Sequence, residues 1–199
     1  MIRRYLKFFL ILGSLLFLST VIQAQKKIAV PINTYGVWDR GGAIDDYSDP
    51  KADFILGIEV SARWADVQPK GPENFDFSVF QETLNKAAKY KKIVKMSINV
   101  GGDAPLWLYK NGVPLVIVKS NKPKNDKYAN SNPYYLNEAH KKYYFEMIKQ
   151  FSLFLRNQPQ NKFDCIAFVQ VKTGSTGDEE PYKGEPIDKS YTIPNEPWQ

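Results

Sequence analysis

The chain has 199 residues, with 27 Lys and Arg against 21 Asp and Glu, one Cys and one His. A single cysteine excludes an intramolecular disulfide, and one His with one Cys cannot furnish the common nitrogen and sulfur ligand sets, so neither a metal nor a cofactor is expected. The formal charge of +6 does not point to nucleic acid, because Arg3, Arg4 and Lys7 supply half of it and the remaining lysines are dispersed along the chain.

Residues 1–24 read as a secretory signal peptide: Arg3, Arg4 and Lys7 precede an apolar run from Phe8 to Leu18, and small and polar residues follow up to Ala24. The run is short for a membrane span, so the expectation is a secreted or periplasmic protein, free of the membrane after cleavage. No cysteine stands near the cleavage site to carry a lipid anchor. Residues 25–199 are long enough for one domain with its own core.

Lys27 to Thr34 is a short apolar segment around two prolines, and Tyr35 to Gly42 suits a strand ending in a Gly-rich loop. Phe54 to Trp64 predicts a second strand, apolar and β-branched, stopped by Pro69 and by Gly71-Pro72. Ser78 with Gln81 predicts a capping box, opening a helix with Phe80, Leu84, Ala87 and Ala88 on one face. Ile93 to Val100 is the third strand. A loop from about Lys119 to Leu136 leads to the longest helix, Glu138 to Arg156. Its apolar stripe holds Tyr143, Tyr144, Met147, Ile148, Phe151, Phe154 and Leu155. Phe163 to Val171 is the fourth strand, with Cys165 in it as a small core side chain.

Alternation of apolar strands with amphipathic helices predicts an α/β fold with a parallel sheet covered by helices. A doubly wound sheet and a (β/α)8 barrel both satisfy the pattern. In either, the functional face lies at the C-terminal ends of the strands. Those ends carry Trp38, Asp39 and Arg40; Arg63, Trp64 and Asp66; Asn99, Asp103 and Trp107; and Lys172, Ser175, Asp178, Glu179 and Glu180. Aromatic rings stack on the C–H faces of sugars while carboxylates and amides bind hydroxyls. Trp38, Trp64 and Trp107 are therefore expected as saccharide platforms, with Asp39, Arg40 and Asn99 binding hydroxyls. His140 is the only residue that could serve a Ser-His-Asp or Cys-His mechanism, and nothing around it suggests one.

The succession Arg63-Trp-Ala-Asp-Val-Gln-Pro-Lys-Gly, Phe75-Asp-Phe-Ser, Lys95-Met-Ser-Ile-Asn-Val-Gly-Gly and Pro105-Leu-Trp107 resembles the opening of clan A glycoside hydrolases, above all β-galactosidase-like members of the family 42 type. The likeness covers about residues 36 to 184 and rests on the order and spacing of pieces that are each weak alone. It implies a TIM barrel, of which about the first four strands are present, and a secreted hydrolase of O-glycosidic bonds in a poly- or oligosaccharide. Such enzymes use two carboxylates, about 5 Å apart in retaining members. By resemblance the acid/base Glu follows the fourth strand and the nucleophile the seventh.

Here Lys172-Thr173 stands where the clan places Asn-Glu, and the first carboxylates come in Asp178-Glu179-Glu180. Glu179 is the first candidate for the proton donor, Glu180 the second, and a plain acidic loop the competing reading. A barrel needs roughly 250 residues and at least about 200. The second catalytic carboxylate is therefore missing, and the expectation is a truncated chain that is inactive alone and self-associates through an exposed barrel edge. The alternative is a non-catalytic exported carbohydrate-binding protein; a third reading is an exported α/β protein with an unrelated ligand. Gly174 to Gly177 matches neither a nucleophile elbow nor a phosphate loop, and Asn195-Glu196-Pro197 reads as a helix cap ahead of Trp198.

Overall fold

The computed structural model describes residues 34–119, 131–170, 172, 174 and 181–194. The expected signal peptide lies outside the described residues, as do Ser175, Asp178, Glu179, Glu180 and Asn195 to Trp198.

The protein is mixed α/β. Strands β1 (Val37–Arg40), β2 (Ile55–Arg63), β3 (Ile93–Asn99) and β6 (Ile166–Gln170) form one parallel sheet in the order β1-β2-β3-β6. Between them run α1 (Trp64–Val67), α2 (Ser78–Tyr90), α3 (Trp107–Lys110), α4 (Glu138–Arg156) and α5 (Gln160–Phe163). The main strands stand side by side in chain order, with no reversal. Among the described residues no helix is long and apolar enough to cross a membrane.

The two faces of the sheet differ because the strands alternate. In β2, Ile58, Val60 and Ala62 are buried while Glu59, Ser61 and Arg63 are half-buried or exposed; in β3, Val94, Met96 and Ile98 are buried opposite Lys95 and Asn99. Helices α2 and α4 pack together on the apolar face, where Phe80 meets Phe151 at 4.7 Å between ring centroids. Phe80, Leu84, Met147, Phe151 and Leu155 join the strand residues in one core. Each large side chain sealed there contributes about 1.5–3 kcal/mol relative to leaving it in water. The core holds one side of the sheet only.

The long helix spans the expected residues, with Asn137 as its cap: its side chain accepts from the amides of Ala139 and His140 at 2.9 and 3.2 Å. The start of α2 differs from the expectation. Ser78 is its first residue and no capping box forms; the carboxylate of Asp76 takes the Ser78 amide at 2.9 Å instead. A carboxylate at that position both satisfies a free amide and favours the positive end of the helix. The fourth strand is shorter than expected, because Gln160–Phe163 closes a helical turn and puts Cys165 just ahead of it. The Cys165 thiol is buried there and donates to the Asn161 carbonyl at 3.3 Å.

One element is not legible in the sequence. Leu115–Ile117 (β4) and Ser131–Pro133 (β5) pair antiparallel, with Val118 bridging to Pro186. They carry a second small core of Val116, Val118, Tyr135, Tyr182 and Ile193. This unit occupies part of the stretch expected to be loop.

Candidate functional site

The face of the sheet turned away from the helices is polar, and the strand register arranges it in rows. Lowest, toward the strand N-termini, Trp38 stands beside Gly57 and Ile93. Arg40, Glu59, Lys95 and Phe168 form the next row, then Ser61, Ser97 and Gln170, and finally Arg63 and Asn99 at the C-terminal rim.

Trp38 lies across Gly57, where an added Cβ would stand 2.6 Å from the ring, and its edge reaches Phe168 with centroids 5.8 Å apart. β1 and β6 are three strand spacings apart, roughly 14 Å in a flat sheet. The two rings therefore lie over the strands between them and floor this face. In the second row the Lys95 ammonium is 3.0 Å from the Glu59 carboxylate and 5.8 Å from the centre of the Phe168 ring.

Above the floor runs a chain of hydroxyls. Ser97 donates to Ser61 at 2.9 Å, and Ser61 donates to Asn99 Oδ1 at 3.2 Å. The same Oδ1 accepts from the Lys172 ammonium, a pure donor, which fixes the orientation of the amide and turns its N–H groups outward. Burial and the charges of Lys95 and Arg40 hold the Lys172 ammonium below its usual pKa, opposed by Glu59 and Asp103. Arg63, at the rim, is held by a two-bond pair with Asp66. The result is a sheet face with aromatic rings at its base and with the Ser61 hydroxyl, the Asn99 amide and the ammonium and guanidinium groups above them, Ser97 being buried beneath. Such a surface can stack an apolar ring face and bind hydroxyls or anions above it.

Three of the expected site residues stand elsewhere. Trp64 is 0% exposed: its indole donates to Gln68 Oε1 at 2.7 Å and packs edge-on against His140 and Tyr144. Trp107 is 9% exposed, with its indole N–H on the Gln68 carbonyl at 2.7 Å and its ring against Tyr143. Neither offers a free ring face, so the platform reading is corrected for both. In each case the residue opens a helix just past a strand, and the helix turns its ring inward.

Asp39, 8% exposed, points to the helix side of β1, since neighbours along a strand face opposite ways. It accepts from the Tyr47 hydroxyl and from the amides of Ala43 and Ile44 at 3.2 and 2.9 Å. Burial works against its charge, but those bonds and the nearby Lys86 outweigh it and keep the carboxyl below its ordinary pKa. Asp39 is therefore a loop anchor; it is not a hydroxyl binder. Trp38, Arg40 and Asn99 are on the polar face. Trp38 belongs to its floor, within β1, and does not stand past the strand end.

Glu59, Ser61, Lys95, Ser97 and Phe168 also belong to this face and are not among the residues expected from the sequence. Their signal was present: Glu59, Ser61 and Arg63, like Lys95, Ser97 and Asn99, fall at every second position between apolar residues.

His140 belongs to the core. It is 4% exposed among Trp64, Tyr135 and Tyr144, and among the described residues neither ring nitrogen makes a well-formed hydrogen bond. Burial pushes its pKa down to about 4, with the backbone of Tyr135 acting in the opposite direction. Among the described residues no group of three His, Cys, Asp or Glu could hold a metal ion. No family model matches this chain, and no curated protein matches its sequence.

Proposed function

We propose that residues 25–199 are the N-terminal part of a secreted (β/α)8 glycoside hydrolase, whose polar sheet face binds a saccharide. The observation that carries this reading is the strand order. A doubly wound sheet reverses its order at a switch point and buries both faces under helices, whereas a barrel wall runs in chain order with helices outside. Here the order is β1-β2-β3-β6, with the helical core on one side and the polar rows on the other. A further β/α unit beside β6 would also cover the apolar groove formed by Ile98, Val100, Met147, Phe151 and Val169.

In this reading Trp38 and Phe168 stack the sugar ring, and Arg40, Asn99 and Lys172 meet its polar groups. Glu179 is the proton donor, with Glu180 its alternative, and the nucleophile belongs to a later strand. Residues 1–24, read as a signal peptide, carry the domain to the compartment where polysaccharides occur.

One observation favours the second reading, a non-catalytic saccharide-binding protein. Lys172-Thr173, with Lys172 bonded to Asn99, stands after the fourth strand where the resemblance implies Asn-Glu. Titration of the purified chain with galacto-oligosaccharides by calorimetry tests the saccharide face that both readings share, and binding lost in Trp38→Ala supports it. Assay of aryl galactosides separates the two: turnover abolished by Glu179→Gln establishes the hydrolase and overturns the expectation that residues 25–199 are inactive alone. Absence of both rejects saccharide recognition.

A further inference from the structure

The polar sheet face is richer in cations than a neutral sugar needs. Four basic side chains share this face, Arg40, Arg63 and Lys95 on three strands and Lys172 just past the fourth, and the charges of Lys95 and Arg40 both act on Lys172. Three carboxylates accompany them, and two are already engaged: Asp66 by Arg63 and Glu59 by Lys95. The third, Asp103, acts at a distance on both Arg63 and Lys172. Among the described residues the Lys172 ammonium is bonded to the neutral amide of Asn99, and Arg40 is exposed and makes no ion pair. Arg40 stands in the row of Phe168 on the first strand, and Lys172, past the end of the last strand, reaches Asn99 at the rim; the two are near enough to act on each other through their charges.

Resting on the saccharide reading above, we infer that the face selects an acidic sugar, one bearing a carboxylate or a sulfate ester, through Arg40 and Lys172. A guanidinium presents a planar two-donor edge to a carboxylate or sulfate, and an ammonium adds a point charge from the other side. Asn99, its Oδ1 occupied by Ser61 and Lys172, supplies N–H donors to the same group. A neutral sugar leaves Lys172 under the repulsion of Lys95 and Arg40, opposed by the charges of Glu59 and Asp103.

The test titrates the purified chain by calorimetry with three probes of equal length: a galacturonic acid trimer, a sulfated galactose trimer and a neutral galactose trimer. An acidic trimer is expected to bind about tenfold tighter than the neutral one at low salt, and the advantage should shrink as ionic strength rises. Lys172→Met and Arg40→Ala should each weaken the acidic trimer more than the neutral one and so bring the two affinities close together. Lys172→Arg should retain the preference, and Lys89→Ala, on the helix side, should change nothing. The probe that gains distinguishes a uronate from a sulfate ester. Equal affinity for all three trimers overturns this inference and leaves the saccharide reading standing; failure of all three to bind overturns both. A preference that survives in both Lys172→Met and Arg40→Ala also overturns it.

Discussion

The indole of Trp38 rests on the α-carbon of Gly57, the residue beside it on the next strand. A Cβ at Gly57 would lie 2.6 and 2.8 Å from two ring carbons and 2.7 Å from the Ile93 carbonyl oxygen. The ring can move, but the carbonyl belongs to β3 and is held by the ladder. Gly57→Ala should therefore destabilise the protein by about 1–3 kcal/mol. Trp38→Ala in the same chain should recover only part of that loss. Urea midpoints of the two single variants and the double variant measure it, and full recovery would mean the strand carbonyl is not a barrier.

Gln68 holds both buried tryptophans. Its Oε1 accepts from Trp64 and its backbone carbonyl from Trp107, each at 2.7 Å, while its Nε2 donates to the Pro72 carbonyl at 2.6 Å. Gln68→Leu leaves the Trp64 N–H and the Pro72 carbonyl without partners and should cost about 2–4 kcal/mol. Trp64→Ala should unfold the protein or weaken every ligand alike, as expected of a core side chain. A selective loss of saccharide binding with unchanged thermal stability would restore Trp64 to the site.

Asp39 makes stability depend on acid pH. Its folded pKa is lowered from 3.8, so its contribution is complete above that value and disappears as pH falls through the lower folded value. Asp39→Asn keeps the shape but turns an amide group toward backbone donors, and should cost about 1–3 kcal/mol at neutral pH. The variant should also lose less stability than the parent on acidification below pH ~4. Denaturant titrations at neutral and acid pH, run side by side, test both statements.

His140 acts over a higher window. Its pKa falls from 6.5 to about 4 on folding, so between these values the unfolded chain binds more protons than the native one. Stability should thus decline as pH drops from 6.5 toward 4, by about 3 kcal/mol in all, and level off beneath. His140→Phe, which keeps a ring among Trp64, Tyr135 and Tyr144, should remove that slope. An imidazole NMR titration with a midpoint near the ordinary value would contradict the assignment.

Much of this architecture follows from local pattern. The stripe from Tyr143 to Leu155 and the Phe80, Leu84, Ala87 face specify helices whatever they pack on, because burying one face is the chief stabilisation such segments have. The apolar runs of β2 and β3 are equally explicit, and so is the parallel arrangement that strand-helix alternation imposes. The cap of α2 is not legible in the sequence because Asp76, Ser78 and Gln81 all offer suitable oxygens within one turn, and only the path of the chain selects Asp76.

The sequence by itself determined which segments become strands and helices, and that aromatic and polar residues gather near the strand ends. Only the tertiary structure decided which of those residues share a face. Trp64 and Trp107 turn inward because each begins a helix that must seal the core, and Asp39 turns away from Trp38 because consecutive strand residues point oppositely. Glu59, Lys95, Ser61, Ser97 and Asn99 lie in separate stretches of chain, and it is the register of β2 on β3 that sets them side by side. Register is a relation between strands, fixed by long-range packing, and no single segment contains it.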